Sequence, residues 1–299
     1  MEFLNTFING LSVGGIYAMI ALGYTMVYGI AKLLNFAHGD IIMVGAYMIV
    51  LFLPINPIVA IVAALILCAF LGICIERVAY KPLRGASPLA VLITAIGVSY
   101  LLQSLAQIIA GPKTFYPNPL DKLFPGFMGE PNYGIIKIGS FSIKLSTLIT
   151  LICVAIVMIS LTIFVKRTKT GRAMVAVSED KGAAQLMGIN VNHIIVITFA
   201  IGSALAALAS ILTTFEASKV TTTMGSLPGI KAFTAAVIGG IGSIPGAMLG
   251  GIILGLVECF AQAVPVIAPY TVAIEFSILI IVLLVKPTGI LGKKRREKV

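Results

Sequence analysis

Long intervals without any charged residue are the feature that most constrains the fold of this chain. The interval 41–75 runs for 35 residues without a charge, and further charge-free intervals cover residues 3–31, 145–165 and 194–215. A helix of about 20 predominantly apolar residues crosses the hydrocarbon core of a bilayer. Each interval therefore predicts one or more membrane-spanning helices.

The overall composition excludes two other classes of protein. Hydrophobic residues make up 59% of the 299 positions and charged residues only 11%, whereas charged residues average about 25% in soluble domains. So few charges cannot cover a water-facing surface, which excludes a soluble globular enzyme. The high hydrophobic content excludes a disordered chain. The expected fold class is an all-α polytopic membrane protein, with residues 1–299 forming a single transmembrane domain.

Prolines and short charged segments divide the chain into about nine predicted crossings, within a range of roughly 8–10. Pro54 and Pro57 split the interval 41–75 into two crossings joined by a tight turn. Later crossings are predicted over residues 85–112, 227–241, 245–264 and 269–285. The crossing over 227–241 is expected to be partly broken, because it is short and ends in glycines.

Basic residues predict the orientation of the chain, since short cytoplasmic loops are rich in Lys and Arg. Basic clusters follow the third, fifth and last predicted crossings, and the net charge is +10. These clusters share one side only if the N-terminus lies outside and the C-terminus is cytoplasmic. Residues 111–144 are then an external loop, residues 166–193 a cytoplasmic coupling loop and residues 286–299 a basic cytoplasmic tail. The clusters lack interleaved aromatic residues, so membrane lipid is an expected partner and nucleic acid is not.

Glycine-rich stretches follow the first descending crossing in each half of the chain, at residues 39–46 and 242–247. The two halves also start in opposite directions, which suggests inverted repeats with a substrate path at their interface. Glycines spaced by four residues let two helices approach closely. The close-packing or broken-helix candidates are Gly239, Gly240, Gly242, Gly246 and Gly250.

Ionisable residues at the edges of crossings leave two interpretations open. Asn35, His38 and Asp40 stand where the second crossing begins. They form either a cytoplasmic gate or a helix cap, in which Asp40 is favoured by the helix dipole. Glu258 and Glu275 lie within the last two crossings. With Asp40 they would be the proton relays of a secondary carrier, or else they occupy the membrane interface.

A polar stripe marks the fourth crossing, where Ser99, Gln103 and Gln107 recur every four residues. Polar side chains in such a stripe are unfavourable against lipid, because lipid tails offer them no hydrogen-bond partner. It either lines the transport pathway or hydrogen-bonds a neighbouring helix. The sequence contains no GxxxxGK[ST] or HExxH pattern, and its GxSxG string at residues 10–14 lies within the first predicted membrane helix and not at a strand-to-helix turn. The chain is therefore expected to have no ATP site, metal site or catalytic residue of its own.

The predicted cytoplasmic loop contains signals for one short helix over residues 179–187. Ser178 is the expected N-cap, with Glu179 and Asp180 in the first turn and Gly188 just after the last turn. Ala183, Ala184 and Leu186 supply its apolar side. A helix of this length is marginal alone. It must dock against a cytoplasmic partner or against the protein's own helices.

Three blocks of the sequence together carry a resemblance to one known family. The first block comprises Asn9-Gly10-Leu11-Ser12, Gly14-Gly15-Ile16-Tyr17-Ala18 and Asn35-Phe36-Ala37-His38-Gly39-Asp40. The cytoplasmic-loop block comprises Gly171-Arg172-Ala173, Asp180 and Gly188-Ile189-Asn190. The late block comprises Lys231-Ala232-Phe233 and the stretch from Gly239 to Ala247. These blocks closely resemble the LivH-type permeases of branched-chain amino-acid ABC importers, and the resemblance covers essentially the whole chain.

This resemblance implies a type II-like ABC importer permease in the bacterial plasma (inner) membrane. It implies a second related permease, identical or not, two cytoplasmic ATPases holding ATP and Mg, and an external binding protein. The helix over 178–188 would be the coupling helix seated on an ATPase. Many such permeases have Glu-Ala-Ala where this chain has Gly182-Ala183-Ala184, so Glu179 and Asp180 are the substitutes for the missing carboxylate. The implied substrate is a branched-chain or related aliphatic amino acid, with urea, amides or sugars as alternatives.

Overall fold

The computed structural model describes residues 2–33, 35–123, 135–138, 141–217 and 219–292. Helices account for most of these residues. In chain order they are α1 (Glu2–Ala31), α2 (His38–Phe52), α3 (Pro57–Ile75), α4 (Pro88–Ala110), α5 (Pro119–Leu123), α6 (Leu145–Arg167), α7 (Lys169–Glu179), α8 (Lys181–Leu186), α9 (Val191–Ala217), α10 (Ser226–Gly239), α11 (Ile244–Ala263) and α12 (Thr271–Val285). A π-helical turn (Glu76–Tyr80) and a 3-10 turn (Lys81–Leu83) continue α3.

Among the described residues, seven helices are long and apolar enough to cross a membrane. They are α1, α3 with its following turns, α4, α6, α9, α11 and α12 with the turn before it. Two shorter apolar helices, α2 and α10, stand where the second and seventh crossings were predicted. The break between α2 and α3 is present: Asn56 caps α3 by accepting a hydrogen bond from the Ile58 amide at 2.8 Å, and Pro57 is the first helical residue.

Helix α1 is the centre of the bundle. In its most apolar window 89% of residues are buried, against 17% for both α4 and α6. Its small residues permit this position, because Gly14 and Ala18 meet Gly255 and Gly251 of α11 at backbone contact. Side chains at these points would hold the two helices apart.

The two short helices begin at the same place. A Cβ atom added to Gly39 near the start of α2 would lie 2.5 Å from the carbonyl oxygen of Gly225, the residue before α10, and 3.1 Å from the Cα of Gly229. In each half of the chain a long helix precedes the short one and two further helices follow it (α1–α4 and α9–α12). The two halves of the chain therefore share the same order of long and short helices, and inverted repeats stay a prediction.

The predicted external loop is not purely irregular. It contains α5 and an antiparallel hairpin of β1 (Ile135–Ile138) and β2 (Phe141–Lys144), with Ile135 opposite Lys144. The expectation of an all-α fold missed this hairpin, whose strands are rich in the β-branched and aromatic residues that favour extended structure. Phe115 also forms a β-bridge with Val220. Residues 124–134, 139–140 and the end of the basic tail, 293–299, lie outside the described residues.

Candidate functional site

A polar cluster lies where the two short helices begin. Nε2 of Gln103 on α4 donates a hydrogen bond to Oδ1 of Asp40 on α2 at 2.8 Å. The same amide lies 3.3 Å from the hydroxyl oxygens of Ser99 and of Ser226, the first residue of α10. Asp40 is buried, so these contacts satisfy a carboxylate placed among apolar helices. The structure thus joins two separately predicted groups and adds Ser226, which the sequence reading missed.

The other residues predicted at this border face different neighbours. His38 packs edge-on against the ring of Tyr24, with ring centres 4.7 Å apart. Asn35 accepts a hydrogen bond from the hydroxyl of Tyr80 at 2.9 Å. Positions two residues apart on a helix do not share a face, which explains why His38 and Asp40 diverge.

Gln107, the third residue of the predicted stripe, is exposed. Ser104 and Tyr100 are exposed beside it. Residues 100, 103, 104 and 107 fall on one side of α4, since neighbours on a helix surface are three and four residues apart. One side of a peripheral apolar helix is therefore polar and, among the described residues, only partly covered.

The predicted glycines pack backbones together. Gly239 lies against Gly246, and a Cβ atom on Gly250 would lie 2.9 Å from the backbone nitrogen of Gly239. Gly240 and Gly242 have φ angles of 108° and 95°, which side-chain-bearing residues rarely adopt. The first three bring α10 and α11 together, and the last two turn the chain between these helices. The geometry favours the close-packing interpretation.

The loop over residues 166–193, which was predicted to be cytoplasmic, differs from its predicted structure in one respect. It contains two helices, α7 and α8, and Ser178 belongs to the last turn of α7, where its hydroxyl donates to the Val175 carbonyl at 2.7 Å. Asp180 is the N-cap of α8 and accepts a hydrogen bond from the Ala183 amide at 3.0 Å. The expected Ser178 cap was wrong because Thr168 caps α7 upstream, and α7 continues to Glu179.

Helix α8 presents an apolar tip. Ala184 is buried, whereas Leu186 and the adjacent Met187 are 90% and 82% exposed. Gly188 follows with a φ angle of 79°, as expected for the residue after a helix end. We call Leu186 and Met187 the α8 tip.

Lysine 181 connects α8 to the end of α1. Its Nζ donates a hydrogen bond to the carbonyl oxygen of Ala31, the last residue of α1, at 3.0 Å. Partial burial, and secondarily the nearby Arg84, lower the pKa of Lys181 below its ordinary value. Arg84 itself contacts Glu76 and Asn192. The Lys181–Ala31 hydrogen bond therefore ties α8 to the bundle.

A buried charge cluster was not foreseen as a unit. Nζ of Lys231 on α10 lies 2.8 Å from Oε1 of Glu258 and 3.1 Å from Oε1 of Glu275. The sequence allows both acids to be interfacial residues or proton relays. The structure instead buries Glu275 among helices. The available signal was Lys231 itself, since a lysine inside an apolar helix requires an acidic partner.

Comparison with known proteins gives a consistent result. The family described as "Branched-chain amino acid transport system / permease component" matches residues 6–283. The permease BraD of Pseudomonas aeruginosa, of a high-affinity branched-chain amino acid transport system, is 42% identical over 100% of this chain and 98% of its own length. LivH of Escherichia coli, a permease of the same description, is 40% identical with the same coverage. A probable branched-chain amino acid permease of Methanocaldococcus jannaschii is 29% identical over 92% of this chain and 88% of its own. The chain therefore belongs to the permease components of branched-chain amino acid transport systems and is a multi-pass protein of the plasma (inner) membrane.

Proposed function

We propose that this chain is the permease subunit of an ATP-driven ABC importer that moves branched-chain or related aliphatic amino acids into the cytoplasm by alternating access. The observation that carries this proposal is the α8 tip. Two large apolar side chains are held outside the bundle on a loop whose basic flanks assign it to the cytoplasm. An exposed apolar tip of this kind requires a protein surface to cover it.

The occupant of the α8 tip is one of two cytoplasmic ATPase subunits, which hold ATP and Mg. The chain contains no P-loop sequence that would bind ATP itself. Asp180 begins the helix and Gly188 follows its end, while Ala183 and Ala184 form its small apolar side. Leu186 therefore supplies the area that contacts the ATPase. Glu179 is exposed at the end of α7 and is the carboxylate available to pair with a basic residue of the ATPase.

The pathway runs along the polar side of α4. The exposed Ser104 and Gln107 on this side cannot be satisfied by lipid, so a second permease of the same family, identical or related, covers it. An external binding protein delivers the amino acid to the resulting path. Asp40 and Ser226 lie beside this path at the starts of α2 and α10, which makes their junction the gate.

Movement passes from the ATPase to this junction through short links. The Lys181–Ala31 hydrogen bond joins α8 to the end of α1. Further along the chain, Asn35 lies just before α2 and accepts the hydrogen bond from Tyr80. A displacement of α8 on ATP binding therefore changes the position of α2 at the junction. In this arrangement the N-terminus is outside, the C-terminus is cytoplasmic, and α2 and α10 complete about nine crossings.

The competing function is a proton-driven secondary carrier. Its proposed relay residues fall into separate clusters: Glu258 and Glu275 contact Lys231, whereas Asp40 contacts Gln103. This separation does not favour a relay. Among ABC permeases, urea, amides and sugars remain the alternative substrates, because this chain shares the task of selection with a binding protein.

Reconstitution separates the two energy sources. The complex with its ATPases is placed in proteoliposomes with the binding protein and labelled leucine outside. We expect uptake that requires ATP on the ATPase side and is unaffected by an imposed pH gradient. Uptake by this chain without ATPases under a proton gradient would refute the proposal. Labelled urea and ribose, each supplied with the same binding protein, test the alternative substrates.

A further inference from the structure

The Lys231 cluster contains more acid than base. Nζ of Lys231 contacts one oxygen of Glu258 and one of Glu275. The exposed fractions of the three side chains are 5%, 12% and 1% respectively. The cluster lies between membrane-spanning helices α10, α11 and α12. With both carboxylates ionised it would carry one uncompensated negative charge, which is costly in such surroundings.

The hydrogen bonds of the two acids are unequal. Glu258 accepts two, from the hydroxyl of Tyr17 at 2.7 Å and from the amide of Gln262 at 3.1 Å, and it also forms an ion pair with Lys231 at 2.8 Å. Glu275 accepts one, from Lys231 through Oε1. Its buried Oε2 has no partner within the described part of the chain. Hydrogen bonds to the charged form of an acid favour that form, and Glu258 receives more of them than Glu275 does.

We infer that Glu275 is a proton-binding site and that Lys231, Glu258 and protonated Glu275 form a neutral cluster. The proton sits on Oε2, the oxygen that has no hydrogen-bond partner within the described part of the chain, and Glu258 is the second carboxylate on the same lysine. Lys231 compensates the remaining charge of Glu258. Helices α10, α11 and α12 are thereby held together without a net buried charge.

The groups that face this site come from each element packed around it. Tyr17 lies on α1, Lys231 on α10, and Glu258 and Cys259 on α11. Glu216 at the end of α9 is near Cys259 and has its own hydrogen bond from Ser12 at 2.5 Å. Glu216 is therefore a matched control, since it is a second carboxyl group among the helices with a different donor.

Infrared spectroscopy detects the proton directly. The full complex in lipid is measured at neutral pH in H2O and D2O, and the carbonyl band of protonated carboxylic acids is compared among variants. We expect Glu275→Gln to remove one component of this band, because the amide replaces the protonated acid. Glu216→Gln should leave that component in place. An unchanged band in Glu275→Gln, or loss of the same component in Glu216→Gln, would refute the inference.

Thermal unfolding followed by circular dichroism gives an independent readout. Glu275→Gln preserves the neutral form and should keep a midpoint close to that of the unaltered chain. Glu258→Gln should lower the midpoint more than Glu275→Gln does, because Lys231, Tyr17 and Gln262 lose a charged acceptor. Raising the pH should destabilise the unaltered chain as the proton leaves, and Glu275→Gln should remove that part of the dependence. A larger decrease of the midpoint in Glu275→Gln than in Glu258→Gln would contradict the assignment of the proton to Glu275. None of these readouts depends on transport.

Discussion

The ammonium group of Lys181 lies 3.0 Å from the carbonyl oxygen of Ala31, although the two residues are 150 positions apart. The carbonyl groups at the end of a helix lack partners within the helix and carry its negative dipole end. A cation placed there from α8 therefore fastens this short helix to the central helix of the bundle. The contact links α8 to the end of α1, after which the chain leads to α2 and Asp40.

Replacing Lys181 should weaken transport more than ATP hydrolysis. Lys181→Met removes the donor to Ala31, so we expect the number of amino acids imported per ATP to fall about three-fold or more, in line with a lost hydrogen bond of about 0.5–1.5 kcal/mol. Lys181→Arg should restore most of the ratio, and the exposed Lys169→Met serves as the control. Equal ratios in Lys181→Met and Lys169→Met would contradict the role of this contact.

The α8 tip should govern binding of the ATPase. Substituting both Leu186 and Met187 with Ser removes the exposed apolar surface, and we expect retention of the ATPase during co-purification to fall about ten-fold, equivalent to about 1.4 kcal/mol. The control is Val266→Ser, which alters an 80% exposed apolar residue between α11 and α12. Retention that is equal in both variants would mean that the ATPase binds elsewhere.

The N-cap of α8 should be Asp180 and not Ser178. Asp180→Ala removes the acceptor for the Ala183 amide, and loss of an N-cap costs about 1 kcal/mol. Hydrogen exchange of the Ala183 amide should accelerate about five-fold in this variant. Ser178→Ala should leave that exchange rate unchanged, because the Ser178 hydroxyl bonds within α7. The opposite pattern would restore Ser178 as the cap.

Gln103 should matter more than Gln107 on the polar side of α4. Gln103→Leu leaves the buried Asp40 without its amide donor, at a cost of about 1–3 kcal/mol, so we expect uptake to fall about ten-fold or more. Gln107→Leu changes an exposed residue of the same type and should reduce uptake less. Radiolabelled leucine uptake at equal protein levels provides the comparison. A larger loss of uptake in Gln107→Leu than in Gln103→Leu would contradict the placement of the gate at Asp40.

Close packing of α1 and α11 should tolerate no added methyl group. A Cβ atom on Gly251 would lie 2.7 Å from the Cβ of Ala18, and overpacking costs about 1–3 kcal/mol. Gly251→Ala should therefore lower the thermal midpoint measured by circular dichroism. Gly97→Ala on α4 is the matched control, since an added Cβ there has nothing within 4 Å. It should be neutral or stabilising by about 0.5–1 kcal/mol. Equal midpoints in Gly251→Ala and Gly97→Ala would contradict the close packing of α1 and α11.

Local patterns in the sequence predict much of this architecture. Charge-free intervals indicate the membrane helices because each helix satisfies its own backbone hydrogen bonds, so its length and polarity are visible in one segment. The break after Pro54 and the glycine after α8 are also local features. The α8 start was wrong by two residues, since Asp180 and Ser178 are both good caps and the extent of α7 decides between them.

Contacts between distant segments could not be predicted in this way. Lys231 and Glu275 are 44 residues apart, and Gln103 and Asp40 are 63 apart. Periodicity indicates which side of a helix is polar, but the neighbour of that side depends on how whole helices pack. Sequence patterns therefore determine that this chain is a helical membrane permease with a helical loop between α6 and α9. Tertiary packing alone selects which buried charges compensate one another, because a charge inside the bundle is stable only beside the partner that the fold brings to it.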